Sequence, residues 1–412
     1  MSKTLIFVSN HRSASRVADR MIGALAAHRR IELLSFDREM VDHPVYHDAN
    51  VRHTSLGRIQ GGVRLSRLYS FMRATWILAR ATRHIKDDDT VVLVNSLELL
   101  IISALCGLTR MPTVYDVSDI HPLQLSKSVV GRCMRWLERR TVRRVRLIVV
   151  TSPWFYWEYY RRWLRVPQAA LLIENKVEPG PVNGQSRASF AKRIAWNGLL
   201  RCQTSAAVLL EWLTGAPDAV HLSLHGTLDR LGAFGPRLIS LPNCDYTGPY
   251  TPAALNALLL KSSFVWAIDF SEAENSQWLL PYRLYSAIAA GVPVIAAEGS
   301  ATAEVVRRQN IGIVLSECSA SALTQALDNC TAEMYRLWLK NVHELRDRAL
   351  RHDEWKLVFE DVSRWGCLKL LPSEIDVDVV FRSEIVATGA TDRQRSGCIM
   401  SAHAIEAATT PT

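Results

Sequence analysis

The sequence predicts an α/β protein made of two doubly wound parallel sheets facing each other across a cleft. Three observations lead there. Short, continuously apolar runs recur along the chain, separated by longer runs of helical periodicity, the pattern of parallel strands buried on both faces with their crossover helices. The pattern breaks once, over the Pro-, Gly- and Ser-rich residues 176–189 (KVEPGPVNGQSRAS), and then restarts. At 412 residues, each half is long enough to bury a core of its own.

The elements follow in order. Residues 5–9 (LIFVS) read as the first strand, 15–28 as a helix and 31–36 as the second strand. A basic, aromatic helix is expected over 65–85, then a strand at 91–95 and a helix to 108. Strands at 113–117, 147–151 and 170–174 alternate with helices within 129–145 and over 154–163. After the break, strands are expected at 193–196, 220–225, 264–268, 292–296 and 312–315. The expected organisation is a first Rossmann-like domain over 1–176, a linker over 177–190, a second domain over 191–352, a closing helix over 353–371 and a disordered tail over 372–412, where hydrophobic periodicity fades.

Composition excludes several classes. The eight cysteines form no C-x-x-C pair and no zinc-spaced cluster with histidine, as expected of thiols in a reducing compartment. The N-terminal apolar run is too short for a signal peptide. Residues 90–108 are long enough for a membrane span, but Asn95, Ser96 and Glu98 interrupt them, so a strand followed by a helix is the better reading. The net charge of +9 is uneven: residues 1–180 carry 28 Lys+Arg against 16 Asp+Glu, and the remainder is slightly acidic. The excess concentrates in 58–86 and 127–146, where Arg132, Arg135, Arg139, Arg143 and Arg146 recur at helical spacing among Val129, Met134, Trp136, Leu137 and Val142. That pattern suits anionic lipid headgroups or a phosphorylated acceptor, and equally the solvated face of a core helix. No nucleic-acid motif accompanies it, and no nucleic-acid partner is expected.

The most informative stretch is FVWAIDFSEAENSQWLLPYRLYSAIAAGVP, residues 264–293. A strand ends near Asp269, and Pro281 stands where a helix takes its first residue. A helix start offers backbone N–H groups and a positive dipole end to phosphate, and Arg283 adds a cation there. An ordinary strand–loop–helix unit has the same outline.

Residues 281–296 (PYRLYSAIAAGVPVIA) resemble the donor-site helix of GT-B glycosyltransferases, especially the broad family 4 group, whose pattern is P-x-K-x-x-E-x-x-A-x-G-x-P-V-I-A. The run Gly299-Ser-Ala-Thr-Ala-Glu304-Val-Val resembles its continuation, and Trp196-Asn-Gly198-Leu-Leu-Arg201 its glycine turn with a basic residue. His225-Gly226 and Tyr246-Thr-Gly248-Pro-Tyr250 fit its intervening strand ends. The resemblance implies that Gly198, Arg201 and Arg283, with Tyr282 beside it, hold the diphosphate of a nucleotide-sugar. It places Asn275 and Ser276 toward the sugar hydroxyls and Glu304 near the sugar or ribose. The group's paired glutamates are absent: their positions are Trp278 and Ser286 here.

In the first half, Val114-Tyr-Asp116-Val-Ser-Asp119-Ile-His121-Pro122 resembles the group's V-Y-x-x-H-D-L-x-P element. Asp119 and His121 are candidates to accept a proton from, or to orient, an acceptor hydroxyl; capping a turn is the plain alternative. Thr151-Ser152-Pro153 and Glu174-Asn175 end strands at the domain junction. The loop 10–15 lacks G-x-G-x-x-G, so no dinucleotide cofactor is expected there, and no P-loop or serine-hydrolase elbow occurs.

The resemblance implies a glycosyltransferase moving a sugar from a nucleotide-sugar to a glycan or lipid-linked acceptor in bacterial exopolysaccharide, capsule or lipopolysaccharide synthesis. Its setting would be the cytoplasm, or the inner face of the cytoplasmic membrane with an anionic surface as partner. Neither cofactor nor metal is expected, and the family 4 likeness favours retention of anomeric configuration. A sugar-nucleotide epimerase of the same layout and a non-catalytic, membrane-associated assembly subunit are the other readings.

Overall fold

The computed structural model of the chain describes residues 4–9, 30–37, 50–58, 64–85, 90–177, 190–216, 218–271, 274–350, 354–360, 370–371 and 376–381. The first sheet comprises β1 (Thr4–Ser9), β2 (Arg30–Asp37), β3 (Val51–Arg58), β4 (Thr90–Asn95), β5 (Thr113–Val117), β6 (Leu147–Val150) and β7 (Ala170–Leu172), in the order β3-β2-β1-β4-β5-β6-β7. The second comprises β8 (Arg193–Leu199), β9 (His221–Thr227), β10 (Cys244–Tyr246), β11 (Phe264–Trp266), β12 (Val294–Ala297) and β13 (Gly312–Leu315), in the order β10-β9-β8-β11-β12-β13. Every neighbouring pair among them is parallel. Central strands such as β1 and β6 are buried along their whole length, which is why they read as unbroken apolar runs. The strands β3 and β10 escape that criterion because both lie at sheet edges; over residues 51–57 of β3 only Leu56 is buried.

Helices α1 (Arg64–Thr82), α2 (Leu97–Leu105), α3 (Pro122–Leu125) and α4 (Val129–Val142) belong to the first half, with a π-helix over Phe155–Trp163. The second half carries α5 (Gln203–Gly215), α6 (Phe234–Ile239), α7 (Pro252–Leu259), α8 (Glu274–Trp278), α9 (Tyr282–Ala289), α10 (Ala301–Gln309), α11 (Ala320–Asp328) and α12 (Ala332–Ala349). Hydroxyl caps fix many starts: Ser128, Thr251, Ser300, Ser319 and Thr331 each accept from the amide three residues on. The helix expected over 15–28 and most of the 177–190 linker lie outside the described residues.

One apolar cluster runs from beneath α1, α2 and α4, through Leu280, Leu284 and Tyr285, into the second sheet. The opposite face of the first sheet, with Leu5, Phe7 and Leu93, is covered by Trp355, Val358 and Phe359 of α13 (Glu354–Glu360), so the closing helix returns to the first half. Residues 376–381 correct the expectation of a disordered tail from 372. Phe381 is fully buried and meets Tyr285 edge to face at 5.5 Å, while Asp378 grips Arg308 through bonds of 2.7 and 2.6 Å. A buried aromatic and a bidentate ion pair outweigh the weak periodicity of this stretch. The apolar residues 90–108 are β4, α2 and a 3-10 turn, and among the described residues no helix is long and apolar enough to cross a membrane.

Candidate active site

Each sheet reverses its strand order once, at β1/β4 and at β8/β11. At such a reversal the flanking crossovers leave to opposite faces, and a crevice opens beyond the carboxyl ends of the strands. In the second sheet the residues at that place are Asn197, Gly198 and Arg201, at and after the end of β8, and Asp269, beyond β11.

Arg283, from the first turn of α9, is wired into this point. It is buried; its Nε donates to Asn197 O at 2.6 Å and its Nη2 to Leu199 O at 2.8 Å. Its guanidinium lies 5.9 Å from the Trp196 ring centroid. Two arms of the fork thus hold the turn of β8 in place. The third, Nη1, is 3.7 Å from Asp269 Oδ2 and has no hydrogen-bond partner. Asn197 is fully buried as well; its amide nitrogen donates to Ser286 Oγ at 3.4 Å, and its Oδ1 has no partner. A buried donor and a buried acceptor without protein partners at a switch point are what a ligand or ordered water completes.

Asp269 also meets Arg201, whose Nε is 3.3 Å from Oδ2. Burial pushes the Asp269 carboxyl up, but Arg283, the Ser271 hydroxyl and amide, and Arg201 together hold it below the usual carboxylate range. Two guanidiniums around one carboxylate leave the cluster positive. The start of α9 adds its dipole to that field. Pro281 is the N-cap rather than the first helical residue, because its extended ψ of 152° precedes the turn, and its side chain offers the helix amides no acceptor.

Two glycines permit this geometry. Gly198 has φ +99°, which few L side chains adopt. At Gly226, φ is +132° and a Cβ would lie 1.9 Å from Gly198 O, so the ends of β8 and β9 approach this closely only without a side chain.

The other donor-side candidates are placed differently. Asn275 is fully buried, and its Oδ1 accepts from Ile120 N at 3.0 Å, joining α8 to the first half. Ser276 and Tyr282 are half-buried nearby. Glu304 is on the exposed side of α10, paired with Arg307 at 2.9 Å. The positions without the expected glutamates have other work. Ser286 donates to Arg283 O at 3.1 Å and accepts from Asn197, while Trp278 meets Trp163 of the first half edge to face at 6.1 Å. The Trp278 carbonyl also accepts from Ser152 Oγ.

On the facing side, Ser96 follows β4 with φ 88°, and Asp116 accepts from Asn95 at 3.0 Å. Asp119 and His121 are both exposed. His121 is the N-cap of α3: its Nδ1 accepts from Leu123 N at 3.2 Å, and its own amide donates to Gln124 Oε1 at 3.0 Å. While Nδ1 accepts, the neutral ring carries its proton on Nε2, which suits His121 to donate to a substrate oxygen rather than to take a proton there. Glu174 and Asn175 take part in the domain junction, where their strand end is expected. Glu174 is buried against Lys176, Tyr285 Oη and Phe381 N, and Asn175 donates to Leu280 O at 3.0 Å. Asp269, Asn197 and Gln124 were not singled out by sequence; a polar residue closing an apolar strand, as Asp269 does, is the signal that marks such positions.

Comparison with known proteins agrees with this layout. Residues 219–354 match the family described as Glucosyltransferase 3-like, C-terminal domain. Over 348 residues the chain is 30% identical to succinoglycan biosynthesis protein ExoL of Rhizobium meliloti (strain 1021), covering 80% of this chain and 85% of that protein. Among solved structures, sucrose-phosphate synthase from Thermosynechococcus elongatus superposes with a TM-score of 0.64 at 15% identity, over 88% of this chain and 98% of that one. Anabaena HepE in complex with UDP gives 0.62 at 14%, over 87% and 97%.

Proposed function

The chain belongs to the ExoL family of GT-B glycosyltransferases, and from that premise we propose that it transfers a sugar from a nucleoside diphosphate-sugar to a glycan or lipid-linked acceptor in exopolysaccharide, capsule or lipopolysaccharide synthesis. The observation that carries the reading is the Arg201–Asp269–Arg283 cluster at the start of α9. Negative charge grows on the departing diphosphate as the glycosidic bond breaks. Donors fixed before the reaction stabilise it without having to reorganise. Here they are the first amides of α9, the Arg201 guanidinium and the open Nη1 of Arg283. Asn197 Oδ1, an acceptor, faces a hydroxyl or amide of the donor. UDP bound to HepE supports a nucleotide-sugar donor without naming the base used by this chain.

The basic first half is the acceptor side, working at the inner face of the cytoplasmic membrane. Asp119 takes the proton of the acceptor hydroxyl and His121 orients it. Arginines and helix amides supply the cationic field that a metal supplies in other transferases, so the proposed transfer is metal-independent.

The test is turnover. Purified protein given UDP-, GDP- or ADP-sugars with lipid-linked glycan precursors is expected to release nucleoside diphosphate only when acceptor is present, with or without a chelator. Conversion of the nucleotide-sugar in the absence of acceptor would identify an epimerase. Failure to bind any nucleoside diphosphate would leave an assembly subunit.

A further inference from the structure

Helices α1 and α4 flank α2 on one face of the first sheet, and their outward residues are not those of an ordinary solvated surface. On α1, Tyr69, Met72 and Trp76 are 67, 65 and 62% exposed, at spacings that place them on one stripe. Arg73, Arg80 and Arg83 share that stripe, and Arg80 lies over the Trp76 ring at 5.5 Å. On α4 and its C-cap, exposed residues include Val129, Val130 and Trp136 together with Arg132, Arg139, Arg140 and Arg143. Trp136 and the last three of these arginines, with Arg144, line a shallow cavity of about 510 Å³. Acid is missing: α1 contains no Asp or Glu, and Glu138, the one acid of α4, is fully buried.

A plain solvated face does not expose tryptophan, methionine and valine together. Nucleic acid would use the arginines and aromatics but has no use for aliphatic Met72, Val129 and Val130, which partition into acyl chains. In a parallel sheet the crossover helices run against the strands. The starts of α1 and α4, with Tyr69, Met72, Val129 and Val130, therefore lie toward the cleft, and the arginine-rich ends lie toward the far edge.

We propose that this face docks on an anionic lipid bilayer, its apolar residues entering the interface beside the cleft while arginines of α1 and α4 hold headgroup phosphates. The proposal deepens, and rests on, the reading of the first half as the acceptor side, because it brings the cleft rim to the surface where a lipid-linked acceptor resides. Tryptophan suits the task, having one face for acyl chains and a polar edge for headgroups, and arginine brings a planar donor fork for phosphate.

The test is sedimentation of full-length protein with phosphatidylcholine vesicles, with and without phosphatidylglycerol. Wild type is expected to bind only the anionic vesicles and to be released by salt. The doubly exposed variant Trp76→Ser/Trp136→Ser is expected to lose vesicle affinity by about tenfold or more. Its melting temperature and UDP binding should stay unchanged. Vesicle binding untouched by that variant overturns the proposal, as does a wild type that binds a single-stranded oligonucleotide but no vesicle. Calorimetry with UDP on the same samples separates the two readings: lost UDP binding with vesicle binding intact counts against the transferase reading and leaves the docking face standing.

Discussion

Arg283→Ala is expected to cost about 3–5 kcal/mol of stability, the range for breaking a buried ion pair by removing one partner. It is also expected to abolish measurable affinity for nucleoside diphosphate. Both losses follow from the same wiring. The guanidinium holds Asn197 O and Leu199 O and lies beside Asp269, so its removal takes the donor from both carbonyls, the first of them buried, and leaves Asp269 with Arg201 as its remaining guanidinium. Arg201→Ala separates binding from folding. That side chain is 20% exposed and pairs with Asp269 from the rim of the cluster, so the fold should persist while affinity falls about 10–100-fold, the worth of one charge-assisted contact to phosphate. Urea unfolding and UDP calorimetry on both variants check the pair. An Arg283→Ala protein that unfolds like wild type would show that the β8 turn stands without it.

Glu138→Ala is the second large effect, at about 3–5 kcal/mol. Glu138 is fully buried and receives three donors: Tyr159 Oη, Tyr160 Oη at 3.0 Å and Gln124 Nε2 at 2.8 Å. Alanine takes the shared acceptor from all three beside a cavity, whereas Glu138→Gln keeps the volume and part of the bonding, for about 1 kcal/mol. The loss extends to the acceptor loop, because Gln124 Oε1 accepts from the amide of His121. Burial pushes the Glu138 carboxyl up to about 7, with the donations from Tyr159, Gln124 and Tyr160 opposing it. Its folded pKa is thus raised above the unfolded value of 4.5, so the native state holds the proton more tightly. That contribution is complete below the unfolded pKa and is lost as pH rises through about 7. Melting temperatures of wild type and Glu138→Gln measured from pH 5 to 8 should therefore converge or cross as wild type loses this contribution. Glu174, raised by burial to about 7 as well, is present in both proteins and cancels in the difference. A gap between the two proteins that does not change with pH would contradict the assignment.

The sequence made the sheet cores legible because strands buried on both faces leave no polar residue to interrupt them, as in LIVV of β6. Edge strands β3 and β10 were not legible, since an edge needs only partial burial. The donor end was visible as a proline-started helix bearing Arg283, but its wiring was not. The bond from Arg283 to Asn197 joins residues 86 apart in sequence and exists only once two crossovers are packed. Asn275 was assigned to the sugar by likeness, and the structure ties it to Ile120, because a buried amide at a domain seam finds the nearest backbone N–H. The π-helix was hidden too. Periodicity marks Phe155–Trp163 as helical, yet it does not disclose that neighbouring Tyr159 and Tyr160 share one carboxylate, an oxygen each.

The central claim is that the donor diphosphate sits between the β8 turn and the start of α9. Hydrogen exchange of the backbone amides, followed by mass spectrometry with and without a saturating nucleoside diphosphate, tests it most directly. UDP, GDP or ADP serves as the probe, whichever raises the melting temperature most. The account predicts slowed exchange in peptides covering Gly198–Arg201 and Tyr282–Leu284, with the first half nearly unchanged. Protection confined to the 118–123 loop or to the arginine-rich end of α4 would contradict it.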